Sequence, residues 1–337
     1  MSKEDKIAAF DPNSAADELG GIYGLPFDVE EALVVIVPVP WDVTVSYRDG
    51  AAGGPAAVLA ASRQVDLYDP AVKDAWKIGI AMDEISEEVA DESRRYRKLA
   101  LDGNDSDEDD VNAASAWLNR WVEERCAQWL DAGKAVALLG GDHSTPFGFL
   151  KALAARHSSF GILQIDAHAD LRDAYDGFEF SHASIMRNAL TIPEVATLVQ
   201  AGIRDYCDEE AAFIASEPRV KTFFDRDLKR QRFEGMTWAE QTKKIVSALP
   251  PKVYISFDID GLDPKLCPNT GTPVAGGFEY EEAVYLLEAV ALSGRTIIGF
   301  DLNEVSRGDG ASEWDANVGA RLLYRMCNLM ALSNKLV

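Results

Sequence analysis

The sequence FGILQIDAHADLR, residues 160–172, joins an apolar run to three ionisable side chains. The run FGILQI has the length and composition of a buried strand. Asp166, His168 and Asp170 follow it at alternate positions. Alternate residues of an extended chain share one face, at a spacing of about 6.6–7 Å. The pattern therefore predicts a core strand that ends in two carboxylates and an imidazole directed at one site.

Other apolar, β-branched runs predict further strands, and segments with helical spacing separate them. The strands are expected at 32–40, 135–139, 252–257 and 295–300, and the helices at 113–133, 238–249 and 279–294. This alternation predicts an α/β fold with a mainly parallel sheet covered by helices on both faces. Because no repeat or long linker interrupts the pattern, one domain is predicted over 31–337. Residues 1–30 are predicted to be an N-terminal extension that lies over this domain.

Composition and charge exclude several classes of protein. The chain of 337 residues is 47% hydrophobic and 26% charged, as is typical of a soluble globular protein. A net charge of -23 argues against nucleic acid as a partner and would attract a cationic ligand. No secretion signal is visible and no apolar stretch reaches the roughly 20 residues that span a bilayer, so we expect a cytoplasmic protein without a membrane partner.

Two further features of the composition have simple interpretations. The cysteines form no CxxC pair, which suits a reduced compartment and small buried hydrophobic side chains: Cys126, Cys207, Cys267 and Cys327. The acidic run DGNDSDEDD (102–110) lacks the glycine and the glutamate of an EF-hand calcium loop. It is predicted to be a solvated loop between two helices.

Two more predicted strands end in ionisable side chains. In LLGGDHSTPFGFL (138–150), a double glycine allows a sharp turn before His143, and the lysine of a phosphate-binding Walker loop is absent. In SFDIDGLDP (256–264), Asp258 and Asp260 are again two residues apart, whereas Asp263 before Pro264 is a typical turn aspartate.

These groups are expected to meet, because ligands of open parallel sheets bind at the carboxyl ends of the strands. Buried together without compensation, they would cost several kcal/mol. Four carboxylates and two imidazoles without a thiolate suit two divalent ions, with Mn²⁺ favoured and Ni²⁺, Fe²⁺ or Co²⁺ possible, over structural zinc. The predicted ligands are His143, Asp166, His168, Asp170, Asp258 and Asp260.

In order and spacing, GGDHS, DAHADLR and SFDIDGLDP resemble the three signatures of the ureohydrolases, the family of arginases and agmatinases. The similarity runs from about residue 30 onward and includes PNTGTPVAGG (268–277) and GFDLNEV (299–305). The resemblance implies a three-layer α/β/α arginase-like fold and two divalent metal ions per subunit, Mn²⁺ or Ni²⁺. It also implies a homo-oligomer, either a trimer or a hexamer.

The resemblance further implies how the ligands are shared. One ion would be bound by His143, Asp166, Asp170 and Asp258, and the other by Asp166, His168, Asp258 and Asp260. The ions would activate a water molecule that attacks the guanidinium carbon, with Asp170 steadying the water.

Two residues outside the metal set match functional positions of the family. His182, in FSHASIMRN (180–188), would pass a proton to the departing amine, a role that suits a partly exposed histidine with a pKa near 6.5. Glu304 would pair with the guanidinium group of the substrate. His157 is interpreted as a surface residue.

The substrate is predicted to be a small cationic guanidino compound. Leu171, Arg172 and Asp173 replace the polar residues with which arginases recognise an amino acid, so L-arginine is disfavoured. The extension leading to IYGLPF (22–27), together with EWDANVGARLLY (313–324), resembles the agmatinase-like branch that includes guanidine hydrolases. Free guanidine, hydrolysed to urea and ammonia, is therefore expected ahead of agmatine or guanidinobutyrate. The bulky segment 173–180 could close such a pocket.

Two other classes of protein share parts of this pattern. A deacetylase-like hydrolase would use a single zinc ion and would not need His143 and Asp260 as additional ligands. A non-catalytic homologue would usually have lost ligands, yet all six candidates are present.

The segment IYGLPF is expected to anchor the extension on a neighbouring subunit.

Overall fold

The computed structural model describes residues 2–17, 20–102, 105–308 and 312–336. Its strands are β1 (Val34–Pro38), β2 (Ile80–Met82), β3 (Ala135–Leu139), β4 (Phe160–Ile165), β5 (Val195–Ala201), β6 (Val220–Phe223), β7 (Lys252–Asp258) and β8 (Thr296–Asn303). They form one 8-stranded sheet in the order β2-β1-β3-β8-β7-β4-β5-β6. Every neighbouring pair of strands is parallel.

The helices are α1 (Lys3–Ala9), α2 (Gly54–Ser62), α3 (Glu87–Asp102), α4 (Asp105–Asp131), α5 (Phe147–Ala154), α6 (Ile185–Ala189), α7 (Asp208–Ser216), α8 (Asp225–Phe233), α9 (Trp238–Ser247), α10 (Tyr280–Leu292) and α11 (Trp314–Ser333). They cover both faces of the sheet. Residues of α2 and α8–α11 belong to one buried cluster, and residues of α3–α6 belong to another. Alternate residues of β1 enter the two clusters, as expected for a strand that is buried on both faces.

The predicted α/β architecture is confirmed, and five strands lie where the sequence places them. The helices α4 and α10 end just before Gly133 and Gly294, which adopt the left-handed conformation of a helix stop. Strands β2, β5 and β6 were not predicted. Strand β2 has only 3 residues. Along β6 the first residue is buried and the next three are more exposed, so its sequence VKTF lacks a continuous apolar run.

The acidic run at 102–110 is mostly not the loop that the sequence predicts. Helix α3 ends at Asp102 and α4 begins at Asp105, so the later part of the run is helical; residues 103 and 104 lie outside the described residues. Carboxylates in the first turns of a helix interact favourably with its positive N-terminal end, which explains why this composition is compatible with a helix.

The segment IYGLPF (22–27) packs into the core of its own chain, whereas the sequence suggested a neighbouring subunit. Ile22, Tyr23, Leu25 and Phe27 are buried in the cluster that includes α11. The Tyr23 hydroxyl donates a hydrogen bond to the Ala320 carbonyl at 3.2 Å. The core therefore begins well before residue 31.

Three of the four cysteines are buried as expected, but Cys207 is half-buried. No helix within the described residues is long and apolar enough to cross a membrane.

Candidate metal centre and substrate cavity

The predicted ligands lie at the carboxyl ends of β3, β4 and β7, and Glu304 lies at the end of β8; these four strands are adjacent in the middle of the sheet. His143 follows β3, the DAHAD segment follows β4, and Asp258 is the last residue of β7. Glu304 directly follows β8. They therefore lie at the edge of a parallel sheet where ligand sites are expected.

Turns bring the predicted ligand side chains together. The expectation that β4 and β7 continue as extended chain through these residues is wrong. Asp170 has a left-handed backbone (φ 54), and its carbonyl accepts the Met186 N–H at 3.0 Å. Asp260 lies in a single turn of 3-10 helix, Ile259–Gly261. The Asp258 carboxylate caps this turn by accepting the Asp260 N–H at 2.8 Å. Local turns at the strand ends thus direct both motifs toward one point.

The first half of the centre surrounds His143. Its Nδ1 atom lies 3.0 Å from Asp166 Oδ2, 2.9 Å from Asp170 Oδ2 and 3.4 Å from Asp258 Oδ2. All four side chains are buried. Although these oxygens are close, His143 Nδ1 has no partner with hydrogen-bond geometry. A buried nitrogen that faces three carboxylates in this way fits a cation between them.

The second half of the centre surrounds His168. Its Nδ1 atom lies 3.0 Å from Asp260 Oδ2 and 3.7 Å from Asp166 Oδ1. The other oxygen of Asp260 accepts the Ala167 N–H at 3.0 Å, which fixes the carboxylate. Asp166 belongs to both halves, because each of its oxygens faces a different histidine.

Burial has the largest influence on the pKa of His168, of Asp170 and of Asp258. Burial and the neighbouring Asp166 raise the pKa of Asp170 to about 7. Burial and Asp260 raise the pKa of Asp258 well above its ordinary value. Burial alone would lower the pKa of His168, but the Asp260 carboxylate outweighs it and raises the pKa to about 10. The cluster therefore needs positive charge, which protons or divalent cations can supply.

The donor set fits divalent ions. His143, Asp166 and Asp170 form one group whose candidate ligand atoms lie within 4.8 Å of one another, and Asp166, His168 and Asp260 form a second. Carboxylate and imidazole ligands without a thiolate suit Mn²⁺ and other first-row ions.

A buried hydrogen-bond network lies behind His143. The His143 Nε2 atom is 2.9 Å from the Ser256 hydroxyl, which donates to Asp301 Oδ1 at 3.0 Å. Burial raises the pKa of Asp301 to about 6. Groups of this kind orient a metal-binding imidazole. Neither Ser256 nor Asp301 was predicted from the sequence, although an aspartate within the apolar strand GFDLN indicates a buried polar role.

Glu304 is buried beside the centre and has a left-handed backbone (φ 61). Its Oε1 atom accepts the His143 N–H at 2.9 Å. The Oε2 atom is buried without a hydrogen-bond partner. Burial, with Asp142 nearby, raises the pKa of Glu304 well above its usual range. An unpaired buried carboxylate oxygen is a suitable acceptor for a cationic group.

His182 lies at the edge of the centre, and its surroundings differ from the expected ones. Burial lowers its pKa to about 4, whereas the sequence suggested a value near 6.5. The Nε2 atom is 3.4 Å from the Ser46 hydroxyl, and the Tyr175 ring meets the imidazole edge-on, with centroids 6.0 Å apart at 85°. His182 is therefore a neutral imidazole at neutral pH. His157 contacts Lys252 Nζ at 3.1 Å, away from the centre.

A cavity of about 580 Å³ opens above the centre. His168, Asp170 and His182 contribute to its lining. Farther out it is lined by residues of both charges and by aromatic rings, among them Arg48, Arg172, Tyr175, Asp205, Tyr206 and Glu210. The cavity extends well beyond the space that a guanidino group alone would fill.

The fold and the two groups of carboxylates and imidazoles define an α/β protein with a site for divalent ions. A sequence model described as Arginase family matches residues 32–328, so the chain belongs to the arginase family. Members of this family depend on a binuclear metal centre. The chain is a ureohydrolase, an enzyme that hydrolyses C–N bonds of linear amidines.

Curated relatives and solved structures agree with this assignment. The N(1)-aminopropylagmatine ureohydrolase of Thermus thermophilus is 35% identical over 304 residues, which cover 90% of this chain and 92% of that protein. An agmatinase of Bacillus anthracis is 32% identical and covers 82% of this chain and 84% of its own length. The agmatine ureohydrolase structure of Thermoplasma volcanium superimposes with a TM-score of 0.72 at 22% identity, covering 98% of this chain and 99% of its own. This structural match establishes the arginase-like fold.

Proposed function

We propose that this ureohydrolase acts on a guanidino compound with a linear amine tail, such as agmatine or its N1-aminopropyl derivative, and releases urea. The supporting observation is the size and lining of the cavity above the centre. Its volume of about 580 Å³ lies within the range of about 300–1,000 Å³ for pockets that bind drug-sized ligands. The Asp205 side chain in its lining is 68% exposed, with Oδ2 3.9 Å from His168 Nε2, and its carboxylate would receive a distal ammonium group.

Free guanidine, the first expectation from the sequence, has less support. A ligand with so few atoms needs an enclosing pocket in which nearly every N–H is satisfied. Of the segment 173–180, which was expected to close the pocket, only Tyr175 lines the cavity. The relatives described above are named for agmatine or aminopropylagmatine, which also favours the longer substrate.

We further propose that the six predicted ligands hold two divalent ions, Mn²⁺ or Ni²⁺. Bound there, the ions would lower the pKa of a water molecule so that it is nucleophilic near neutral pH. Asp170 would hold this water in position. Glu304 would bind the guanidinium through its unpaired Oε2 atom, and the neutral His182 would accept a proton and pass it to the departing amine. The trimeric or hexameric state and the cytoplasmic location stay predictions.

A urea-release assay with four substrates tests the choice of substrate. We expect kcat/KM for agmatine or N1-aminopropylagmatine to exceed that for guanidine by more than about tenfold, since only the longer compounds contact the outer cavity and one tenfold step needs about 1.4 kcal/mol. The assay compares these three with 4-guanidinobutyrate after loading with Mn²⁺ or Ni²⁺. A higher kcat/KM for guanidine would restore the first expectation, and a preference for guanidinobutyrate would indicate that Arg48 and Arg172 recognise the tail.

Glu304→Gln is expected to lower kcat/KM by about 10²–10³-fold, because the amide keeps the shape but cannot become the carboxylate that pairs with a bound guanidinium cation. Both ions should remain bound, since Glu304 is not among the predicted ligands. Steady-state kinetics and elemental analysis would measure the two effects. Glu281→Gln, at an exposed position on α10, is the matched control. Loss of metal in Glu304→Gln would contradict the proposed role.

A further inference from the structure

A two-residue hairpin turn forms part of the cavity wall. Tyr175 and Phe178 exchange backbone hydrogen bonds at 3.2 and 2.9 Å. Between them, Asp176 and Gly177 have positive φ angles of 50 and 80. An Asp-Gly pair in this conformation is a favoured connection for a tight hairpin. We refer to residues 175–178 as the cavity turn.

Helix α4 holds the cavity turn from outside through one side chain. The Asn112 amide nitrogen donates to the Gly177 carbonyl at 3.1 Å, and the amide oxygen accepts the Glu179 N–H at 2.9 Å. A Cβ atom at Gly177 would overlap the Glu108 carboxylate, so glycine allows the close approach of turn and helix. Asn188, on α6, donates to the Glu179 carbonyl at 2.9 Å. Both polar ends of Asn112 are thus used to fix the backbone beside the turn.

The cavity turn positions Tyr175, which contacts two other side chains of the cavity. The Tyr175 ring packs edge-on against His182. The Arg172 guanidinium lies over the Tyr175 ring, 4.7 Å from its centroid. All three residues line the cavity. A displacement of the turn would move Tyr175 and thereby change the position of both His182 and Arg172.

We propose that Asn112 is a positioning residue for the substrate cavity, acting through the cavity turn and Tyr175. The inference rests on the proposed roles of His182 and of the cavity. It also gives a function to the start of α4, the helical part of the acidic run, which brings Asn112 to the turn. Asn112 itself does not line the cavity, so its effect on catalysis is indirect, and the proposed route is through Tyr175.

The effect on motion can be measured separately from the effect on activity. In Asn112→Ala, loaded with Mn²⁺, we expect amide hydrogen exchange of residues 175–179 to be about ten- to hundredfold faster, because two hydrogen bonds that hold this backbone are lost. Arg120→Ala, at an exposed position on the same helix, should leave this exchange unchanged. Asn112→Asp keeps the acceptor for Glu179 and removes the donor to Gly177, and it should give an intermediate rate if the alanine variant folds poorly.

The effect on catalysis is tested in the same loaded proteins. Asn112→Ala is expected to lower kcat/KM by about tenfold with unchanged metal content, since small misplacements far from the reacting atoms can cost up to about 10²-fold. In a Tyr175→Ala background the same change should have little further effect, because the two residues act through one contact.

Unchanged exchange at 175–179 would overturn the proposal. Faster exchange with unchanged kcat/KM, or fully additive losses in the double variant, would do so as well. If the wild-type enzyme released urea from none of the guanidino compounds, the proposed function would fail, and the exchange experiment would still decide whether Asn112 holds the turn.

Discussion

Asp258→Asn is expected to abolish urea release and to reduce the metal content from two ions to at most one per chain. Asp258 lies at the end of β7, buried, with its Oδ2 atom 3.4 Å from His143 Nδ1. If it bridges the two ions, the amide removes the negative charge that both ions require, and neither half of the centre can compensate. Elemental analysis of folded protein after loading, together with the urea assay, would measure both effects.

Asp263→Asn is the control from the same motif. Asp263 caps a local turn by accepting the Lys265 N–H at 3.0 Å, and its replacement should preserve activity and both ions. A wild-type protein that binds one ion at most, even after loading, would contradict the two-metal centre. That result would favour the single-zinc, deacetylase-like alternative. An active, fully loaded Asp258→Asn would show that this carboxylate does not bridge.

His182→Ala is expected to lower kcat by about 10²–10⁴-fold, the usual contribution of a positioned acid–base group. Metal content should stay unchanged, since His182 is not a predicted ligand. Because burial lowers its pKa to about 4, the imidazole is unprotonated at neutral pH and must take up a proton during the reaction before it can pass it on. Pre-steady-state and steady-state urea release would measure the effect.

His157→Ala removes a histidine that contacts Lys252 away from the centre, so it should retain the wild-type kcat. Wild-type kcat in His182→Ala would show that the proton reaches the departing amine by another route.

The grouping of the candidate ligands could be predicted from sequence because three motifs each end a strongly apolar strand. Aspartate and histidine after FGILQI and KVYISF have few explanations other than a shared site, and the parallel sheet brings their ends together. The geometry within each motif was not accessible. Whether Asp170 and Asp260 continue a strand or enter a turn depends on contacts with Met186 and with the Asp258 carboxylate, which are made only in the folded chain.

Other features could not be predicted because their signals are spread along the chain. Asp301 contacts Ser256 only through the pairing of β7 with β8. Asn112 and Gly177 meet across 65 positions of sequence, and nothing in either local pattern indicates the contact. The pKa of His182 depends on how deeply the loop is buried, which its composition does not reveal.

The packing of Tyr23 against α11 has a consequence for the order in which the chain folds during synthesis. Tyr23 packs against Tyr324, with ring centroids 4.9 Å apart, and bonds to a carbonyl of α11 that lies 297 positions later. During synthesis, the segment that contains Tyr23 emerges from the ribosome long before α11 has been translated. The apolar IYGLPF segment contacts α2 through the Tyr23 N–H and the Ser62 hydroxyl, but its contacts with α11 must wait until α11 has been translated. Contacts of such large sequence separation are formed slowly. This part of the core can thus be completed only after α11 has been synthesised.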